Sequence, residues 1–277
     1  QLPAWHARGR GQDGPLISIV IPSYNQGQFL EATLRSVLLQ PYPRKEVIVM
    51  DGGSADSTRD VIRHYESHLA HWASEKDRGQ AHAINKGIAR AKGGILCYLN
   101  SDDIQMPWTL GVVAREAEAH PEIDLFYGNR LLLNAAGATV GWGWVPDFDP
   151  LKTSYCVCSE SAFWRADAGA RLGPFDEGFR FAMDVEFFIR FFLTPGRTRR
   201  LEPILGGFRT HEASKSSNEY ASVGLPEAKK AWLRHAGVNP PETLPSSPWR
   251  HRLQLLRHPL ALTLPYLRHR LGVRGQK

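Results

Sequence analysis

Three short segments of this chain gather side chains that bind ligands and move protons: Pro22-Ser23-Tyr24-Asn25, Asp51-Gly52-Gly53-Ser54 and Asn100-Ser101-Asp102-Asp103. Together they hold an aromatic ring, carboxylates, several hydroxyls and a glycine pair that lets backbone come close to a ligand. Carboxylate oxygen is the natural donor for a hard divalent cation, and such a cation neutralises the charge of a departing phosphate group. Two familiar phosphate-binding patterns are missing. There is no G-x-G-x-x-G after the first segment and no G-x-x-x-x-G-K-[ST] anywhere, which disfavours a dinucleotide-binding oxidoreductase and a P-loop nucleotidase.

Each segment directly follows a short, almost continuously apolar run. These runs, Ile17–Ile21, Glu46–Met50 and Ile95–Leu99, are rich in β-branched residues, as parallel strands buried on both faces are. Between them, Phe29, Leu30, Thr33, Leu34, Val37 and Leu38 recur at helical spacing before Pro41 and Pro43. A second helix follows Asp56, and a third carries Ala81, Ile84, Ile88 and Ala91 and stops at Gly93-Gly94. Strand–helix alternation predicts an α/β fold: an open, Rossmann-like sheet with helices on both faces and ligands at the carboxyl ends of its strands. Farther on, the pattern predicts a helix over Leu110–Ala119, a strand over Ile123–Tyr127 and a hairpin turn at Asn134–Gly137. It then predicts helix over Phe163–Arg171 and over Met183–Leu193, and a helix followed by a proline-rich linker from Leu225 to Pro248.

The 277 residues suit one large α/β domain or two small ones. The expected organisation is an N-terminal extension (1–15) and a main domain (16–224), followed by a linker with a basic amphipathic segment (225–277). The main domain divides into two halves, 16–106 and 107–224. Lys and Arg number 34 against 28 Asp and Glu, a formal net charge of +6. Seven basic residues and no acidic one lie between Trp249 and Lys277, so the body is close to neutral. A nucleic-acid-binding core would carry its positive charge on the folded domain, so no nucleic-acid partner is expected. Three cysteines make no disulfide framework, and the lone Cys156-x-Cys158 lacks the second half of a zinc site. No apolar run reaches eighteen residues, and the region around Trp5 and His6 lacks the apolar core of a signal peptide. A cytoplasmic location is expected. The leucines and arginines of the final segment read either as a docked helix pair broken at Pro259 and Pro265 or as a peripheral anchor on anionic lipid.

In order along residues 16 to 216, the chain resembles the family 2 glycosyltransferases, which have the GT-A fold. The likeness is carried by Ser18-Ile-Val-Ile-Pro-Ser-Tyr-Asn25, Asp51-Gly-Gly-Ser54 with Asp56, GQAHAINKG at 79–87, and Leu99-Asn-Ser-Asp-Asp103. It continues through Phe175-Asp-Glu177, Met183-Asp-Val-Glu186 and Arg209-Thr-His-Glu-Ala-Ser-Lys-Ser216. The resemblance implies an inverting, metal-dependent transfer of a sugar from a nucleoside-diphosphate donor, UDP-linked by the family's habit. The acceptor would be a hydroxyl of a glycan or lipid-linked saccharide.

The resemblance also implies roles. Asp51 would accept from a ring N–H of the base, with Pro22, Ser23 and Tyr24 as the pocket wall, although Asp-Gly-Gly also forms turns. Asp102 falls on the last position of the family's Asp-x-Asp and would hold Mn²⁺ or Mg²⁺. Asn100 stands where the first Asp is usual and would bond a ribose hydroxyl, with Ser101 between them. Asp103 reads equally as a cap for the helix near Pro107. Lys86 would sit near the phosphates, or would be a solvated lysine on a packing helix. His211 would contact metal or phosphate, or be structural. Arg209 and Lys215 would suit a diphosphate, or be ordinary surface charges. Asp184 matches the family's catalytic base, with Met183 where an acid is common, Glu186 as the rival carboxylate, and a helix cap as its other reading. The phenylalanines at 187, 188, 191 and 192 form an apolar wall able to raise its pKa. Two alternatives stay open: a sugar-1-phosphate nucleotidyltransferase, and a GT-A scaffold with a degenerate site.

Overall fold

The structure is a computed structural model and describes residues 14–143, 145, 157–194 and 197–239. The expected basic segment after residue 239 and most of the 141–161 loop region lie outside these residues, as does Cys156. Cys97 and Cys158 are buried free thiols. The first half alternates as its apolar runs predict: β1 (Ile17–Ser23), α1 (Gly27–Leu38), β2 (Lys45–Asp51), α2 (Thr58–Tyr65), β3 (His71–Ser74), α3 (Gln80–Ile88) and β4 (Ile95–Tyr98). Every residue of β1 is buried because the strand is covered on both faces and flanked on both edges. Alternate residues of β2 show the two faces. Ile48 and Met50 pack with Ala83 of α3, while Val47 and Val49 join the main core.

Strands β2 and β3 lie on one side of β1 and β4 on the other, all parallel, so the strand order reverses between β1 and β4. The β1–β4 pairing stops at Val20 opposite Tyr98, whereas β1–β2 pairing continues to Ser23 opposite Asp51. A crevice therefore opens past Tyr98, at the place where open α/β sheets bind ligands. Pro22 lies beyond the last β1–β4 pair, so its missing N–H leaves that ladder intact.

The second half is β5 (Ile104–Gln105), α4 (Thr109–Ala119), β6 (Leu125–Leu133), β7 (Thr139–Gly143), β8 (Ala162–Arg165), α5 (Ala166–Leu172), α6 (Met183–Phe192), β9 (Thr198–Arg209), α7 (Lys215–Asn218) and α8 (Leu225–Ala236). It extends the same sheet in the order β3-β2-β1-β4-β8-β6-β9-β5, with β7 paired to β6. The hairpin turn forms as expected. The Gly137 N–H donates to the Asn134 carbonyl at 2.9 Å, and Gly137 takes the positive φ of 80° that suits glycine.

Two expectations need correction. Phe163–Arg171 is not one helix: Ala162–Arg165 is a strand between β4 and β6, and helix begins only at Ala166. Tertiary pairing overrides local pattern here, because Phe163 and Trp164 are fully buried in the sheet. The second correction is β9, twelve residues with no strand signal. Two arginines, Pro203 and a glycine pair interrupt its pattern, yet it runs parallel to β6 and antiparallel to β5.

The expected linker region opens with α8, whose Ala231 and Trp232 lie fully buried in the main core. From α8 the Glu227 carboxylate accepts the backbone N–H groups of Arg180, Phe181 and Ala182 at 2.9, 2.8 and 2.9 Å. Burial works against the Glu227 charge, but these bonds overcome it and hold the carboxyl below its usual range. They satisfy the amides that lead into α6, the helix that carries Asp184. Glu227→Ala should lower stability by about 2 kcal/mol, because three backbone donors, of which Phe181 is half-buried and Ala182 buried, lose their acceptor. Glu227→Gln should cost less, and thermal denaturation of the two variants beside wild type checks the order.

Candidate active site

The loops leaving β1 and β2 lock onto each other. The Asn25 N–H donates to Ser54 Oγ at 2.7 Å, and Asn25 Oδ1 accepts the Ala55 N–H at 2.9 Å. Asn25 holds φ at 52°, a left-handed conformation that asparagine tolerates. Asp56 Oδ2 accepts the Gly27 N–H at the start of α1 at 2.9 Å. Within this frame Asp51 is buried. Its Oδ2 accepts the Ser54 N–H at 3.0 Å and Ser74 Oγ at 2.6 Å, and its Oδ1 accepts Ser54 Oγ. A carboxylate has about four lone-pair sites, so Oδ1 keeps capacity for one more donor. Asp51 is thus both the pivot of a turn and an open acceptor. Buried Ser23 Oγ has no partner among the described residues. Tyr24 is 64% exposed and lies against Gly52, where even an added Cβ would come within 3.3 Å of its ring.

The turn after β4 is held from three sides. Thr33 Oγ1 of α1 lies 2.8 Å from the Ser101 carbonyl oxygen and 2.7 Å from that of Asp103. Asp103 does not cap α4. That helix starts after Trp108 without a side-chain cap, and Asp103 is fully buried. Its Oδ1 accepts the Arg209 backbone N–H at 2.9 Å, and its Oδ2 accepts the Asn100 amide at 3.2 Å. Burial, then the charges of Asp102 and Glu160, push the Asp103 carboxyl well above the usual carboxylate range. Arg209 is likewise no surface charge: its Nε donates to the Asp102 carbonyl at 2.7 Å, and its guanidinium lies over the Phe29 ring.

This pairing of β9 with the turn brings His211 to Asp102, 109 residues away in sequence. Nε2 lies 3.0 Å from Asp102 Oδ2, and the imidazole packs on Phe29 at 4.5 Å between ring centroids. Two adjacent ligands of an octahedral ion bound at about 2.1 Å lie roughly 3 Å apart, so this spacing fits a shared Mg²⁺ or Mn²⁺. Among the described residues no group of three His, Cys, Asp or Glu side chains could enclose a metal. Asp102 and His211 could give such an ion two of its ligands.

Lys86 does not join this group. It pairs with Glu75, which follows β3 and whose N–H donates to the Asp51 carbonyl at 3.0 Å. Gln80, from the same motif, does the bridging instead: its amide donates to Asn100 Oδ1 at 2.6 Å, and its Oε1 accepts from Lys215 at 3.0 Å. Asp184 is in the first turn of α6 but is not its cap, which is Ala182. One Asp184 oxygen accepts the Val185 N–H at 2.8 Å. Burial pushes its carboxyl up to about 6, with the Val185 amide opposing and the Glu160 charge adding to the rise. Glu186 faces away into a structural cluster, bonded to Arg190 at 2.9 Å and His235 at 2.7 Å. Glu160, which the sequence reading passed over, is 1% exposed beside these groups. An isolated acid in a loop carries no motif, and only the fold could find it.

These features can be set against known proteins. Residues 18–145 match the family model described as Glycosyl transferase family 2. The chain is 29% identical to a PGL/p-HBAD biosynthesis glycosyltransferase of Mycobacterium bovis over 224 residues, 79% of this chain and 83% of that one. It is 34% identical to an uncharacterized glycosyltransferase of Mycobacterium tuberculosis over 185 residues, 64% and 68% of the two chains. S. aureus TarS 1-349 in complex with UDP-GlcNAc superposes with a TM-score of 0.63 at 18% identity, covering 93% of this chain and 73% of that one. The mannosyltransferase PcManGT of Pyrobaculum calidifontis, with GDP-Man and Mn²⁺, superposes at 0.59 and 18% identity, covering 98% and 92%. The fold is GT-A, and the protein is a glycosyltransferase. Its motifs and its relatives agree on the lineage: the chain belongs to glycosyl transferase family 2.

A raised carboxyl pKa is also a statement about stability. The fold binds the Asp184 proton more tightly than the unfolded chain does, so its charged form costs stability as pH rises from about 4 to about 6. Asp184→Asn removes that cost and keeps the acceptor for the Val185 N–H. The variant should be more stable than wild type by about 3 kcal/mol above pH 6, and the gain should vanish below pH 4. Denaturant unfolding across pH 3.5–8 checks both ends.

Proposed function

We propose that this protein transfers a sugar, with inversion, from a nucleoside-diphosphate donor to a hydroxyl of a glycan or lipid-linked saccharide. The observation that carries the reading is the 3.0 Å approach of His211 to Asp102 at the sheet's switch point. In this reading the 16–106 half holds the donor and the 107–224 half presents Asp184 and His211. Asp51 Oδ1 takes a ring N–H of the base, Ser23 Oγ finds its missing partner on the nucleoside, and Tyr24 covers it. Asn100, Ser101 and Gln80 line the path from ribose to diphosphate. Asp102 and His211 hold a divalent cation, which when bound supplies positive charge to the departing diphosphate. The neighbouring proteins solved with UDP-GlcNAc and with GDP-Man and Mn²⁺ support a nucleotide sugar and a metal. A UDP donor is favoured because Asp51 retains one acceptor site, which matches the single imide N–H of uracil.

Asp184 is the base. It removes the acceptor hydroxyl proton as that oxygen attacks the anomeric carbon, and the carbon–oxygen bond to the diphosphate breaks from the opposite side. A carboxyl near 6 is ionised at neutral pH yet basic enough for this task. Lys86, tied to Glu75, takes no part. No helix among the described residues is long and apolar enough to cross a membrane. The basic stretch from Trp249 to Lys277 extends the proposal to peripheral contact with an anionic lipid surface on the cytoplasmic side.

Turnover of a nucleotide-sugar panel, read as nucleoside diphosphate released, tests the reading. EDTA should abolish release and Mn²⁺ restore it, and Asp102→Asn should lower it by about 10²-fold or more. Metal-independent turnover would remove the cation from the scheme, and pyrophosphate release would point to the nucleotidyltransferase. For the base, kcat should rise with pH and level off above about 6, where Asp184 is ionised. Asp184→Asn should lower kcat by roughly 10²–10⁴-fold, with donor affinity little changed, and Glu186→Gln should be mild by comparison.

A further inference from the structure

Glu160 is a buried carboxylate that the scheme above leaves unused. It sits in the turn Ser159–Ser161 immediately before β8, and its side chain is 1% exposed. One oxygen, Oε1, lies 3.4 Å from an Arg130 guanidinium nitrogen. The other, Oε2, has no hydrogen-bond partner among the described residues. A buried, unpaired carboxylate oxygen is expensive to keep, so its partner is expected to arrive with a ligand.

The fold says where that ligand would lie. Strand β8 pairs antiparallel with β4, Trp164 opposite Leu96. The turn that leads into β8 therefore lies against β4, the strand that runs into the Asp102 turn. Its charge bears on both Asp103, beside the proposed diphosphate site, and Asp184, the proposed base. The turn itself is rigid. Ser161 Oγ donates to the Asn129 carbonyl at 3.1 Å, and the Ser161 N–H donates to the Cys158 carbonyl at 2.9 Å. Strand β9 passes so close beneath that a Cβ on Gly206 would come within 2.7 Å of Glu160 Cγ. Only glycine leaves the carboxylate room in this position.

We infer that Glu160 reads the transferred sugar: Oε2 accepts a hydrogen bond from a hydroxyl of the donor's sugar ring while Arg130 holds Oε1. This rests on the glycosyltransferase reading above, in which the sugar lies between the Asp102 diphosphate site and Asp184. It gives the site a chemical preference. The donor sugar presents a free hydroxyl toward Glu160, and a deoxy analogue at that position leaves the carboxylate unpaired and is rejected.

The test is calorimetric titration, with Mn²⁺ present, of the full chain with UDP, GDP, UDP-glucose, UDP-GlcNAc, GDP-mannose and the deoxy analogues of the best binder. Glu160→Gln keeps the side chain's volume and an oxygen for Arg130. Glu160→Asp keeps the charge but withdraws it by one methylene. Both variants should bind the best nucleotide sugar about 10- to 100-fold more weakly than wild type, the range of one charge-assisted hydrogen bond. Both should bind the matching bare nucleoside diphosphate as wild type does. One deoxy analogue should bind wild type as weakly as the parent sugar binds the variants, and should bind the variants no worse than that parent sugar. Unchanged nucleotide-sugar affinity in both variants overturns the inference and leaves the glycosyltransferase reading standing. So does an equal fall for the bare diphosphate, which would mark Glu160 as a structural residue. A wild-type protein that binds no nucleotide sugar overturns both readings.

Discussion

One buried carboxylate ties the turn after β4 to the end of β9. Asp103 is fully enclosed, and its main partner is the backbone N–H of Arg209, the last residue of β9. A carboxyl group in that position is tolerated only because each of its oxygens has a donor. The bond does more than satisfy Asp103. It sets the end of β9 against the turn after β4, so that Arg209 reaches the Asp102 carbonyl and His211 reaches the Asp102 side chain. Phe29 of α1 supports both, with the arginine over its ring and the imidazole packed on it. Everything proposed for the metal depends on this arrangement.

The other pole of the site is positioned by packing rather than by hydrogen bonds. Phe187 of α6 stacks on Phe175 at 4.0 Å and meets the edge of Trp164 at 5.2 Å. These fully buried rings fix the rotation of α6 about its axis, because aromatic groups of this size leave no alternative packing. Glu227 fixes the chain leading into the same helix. With rotation and entry both set, Asp184 is held beside Tyr98 and Glu160 while Glu186, two residues on, is turned into a salt-bridged cluster with Arg190 and His235. Two carboxylates that look interchangeable in sequence are thus sent to different surroundings, Asp184 toward Tyr98 and Glu186 into the cluster with Arg190 and His235, by which face of one helix they occupy.

Much of the first half was legible in the sequence because its signals are local. A parallel strand covered on both faces is apolar through its centre, as Ile19–Ile21, Val47–Met50 and Ile95–Tyr98 are. The helices between them show their buried stripes directly. The polar residues that follow each strand had to collect at one edge, because in a parallel sheet the carboxyl ends all point the same way. That argument sufficed to bring Ser23, Asp51 and Asp102 into one region with no knowledge of contacts. The second half was less legible, since its strands are antiparallel, short or interrupted, and β9 carries glycines where β5 and β6 crowd it.

What the sequence determined by itself was therefore the layout: an open α/β sheet, a polar edge, and Asp184 on a helix with an apolar wall. The tertiary structure decided which polar groups meet. It sent Lys86 to Glu75 rather than toward Asp102, made Gln80 the bridge between Asn100 and Lys215, and buried Asp103 instead of leaving it as a helix cap. It also brought His211 across 109 positions to Asp102 and buried Glu160 where its charge acts on Asp103 and Asp184. The physical reason is range. Apolar periodicity is read over a few residues and survives any change of register, whereas a hydrogen bond between distant segments exists only when strand register, helix rotation and turn geometry agree to within a fraction of an ångström.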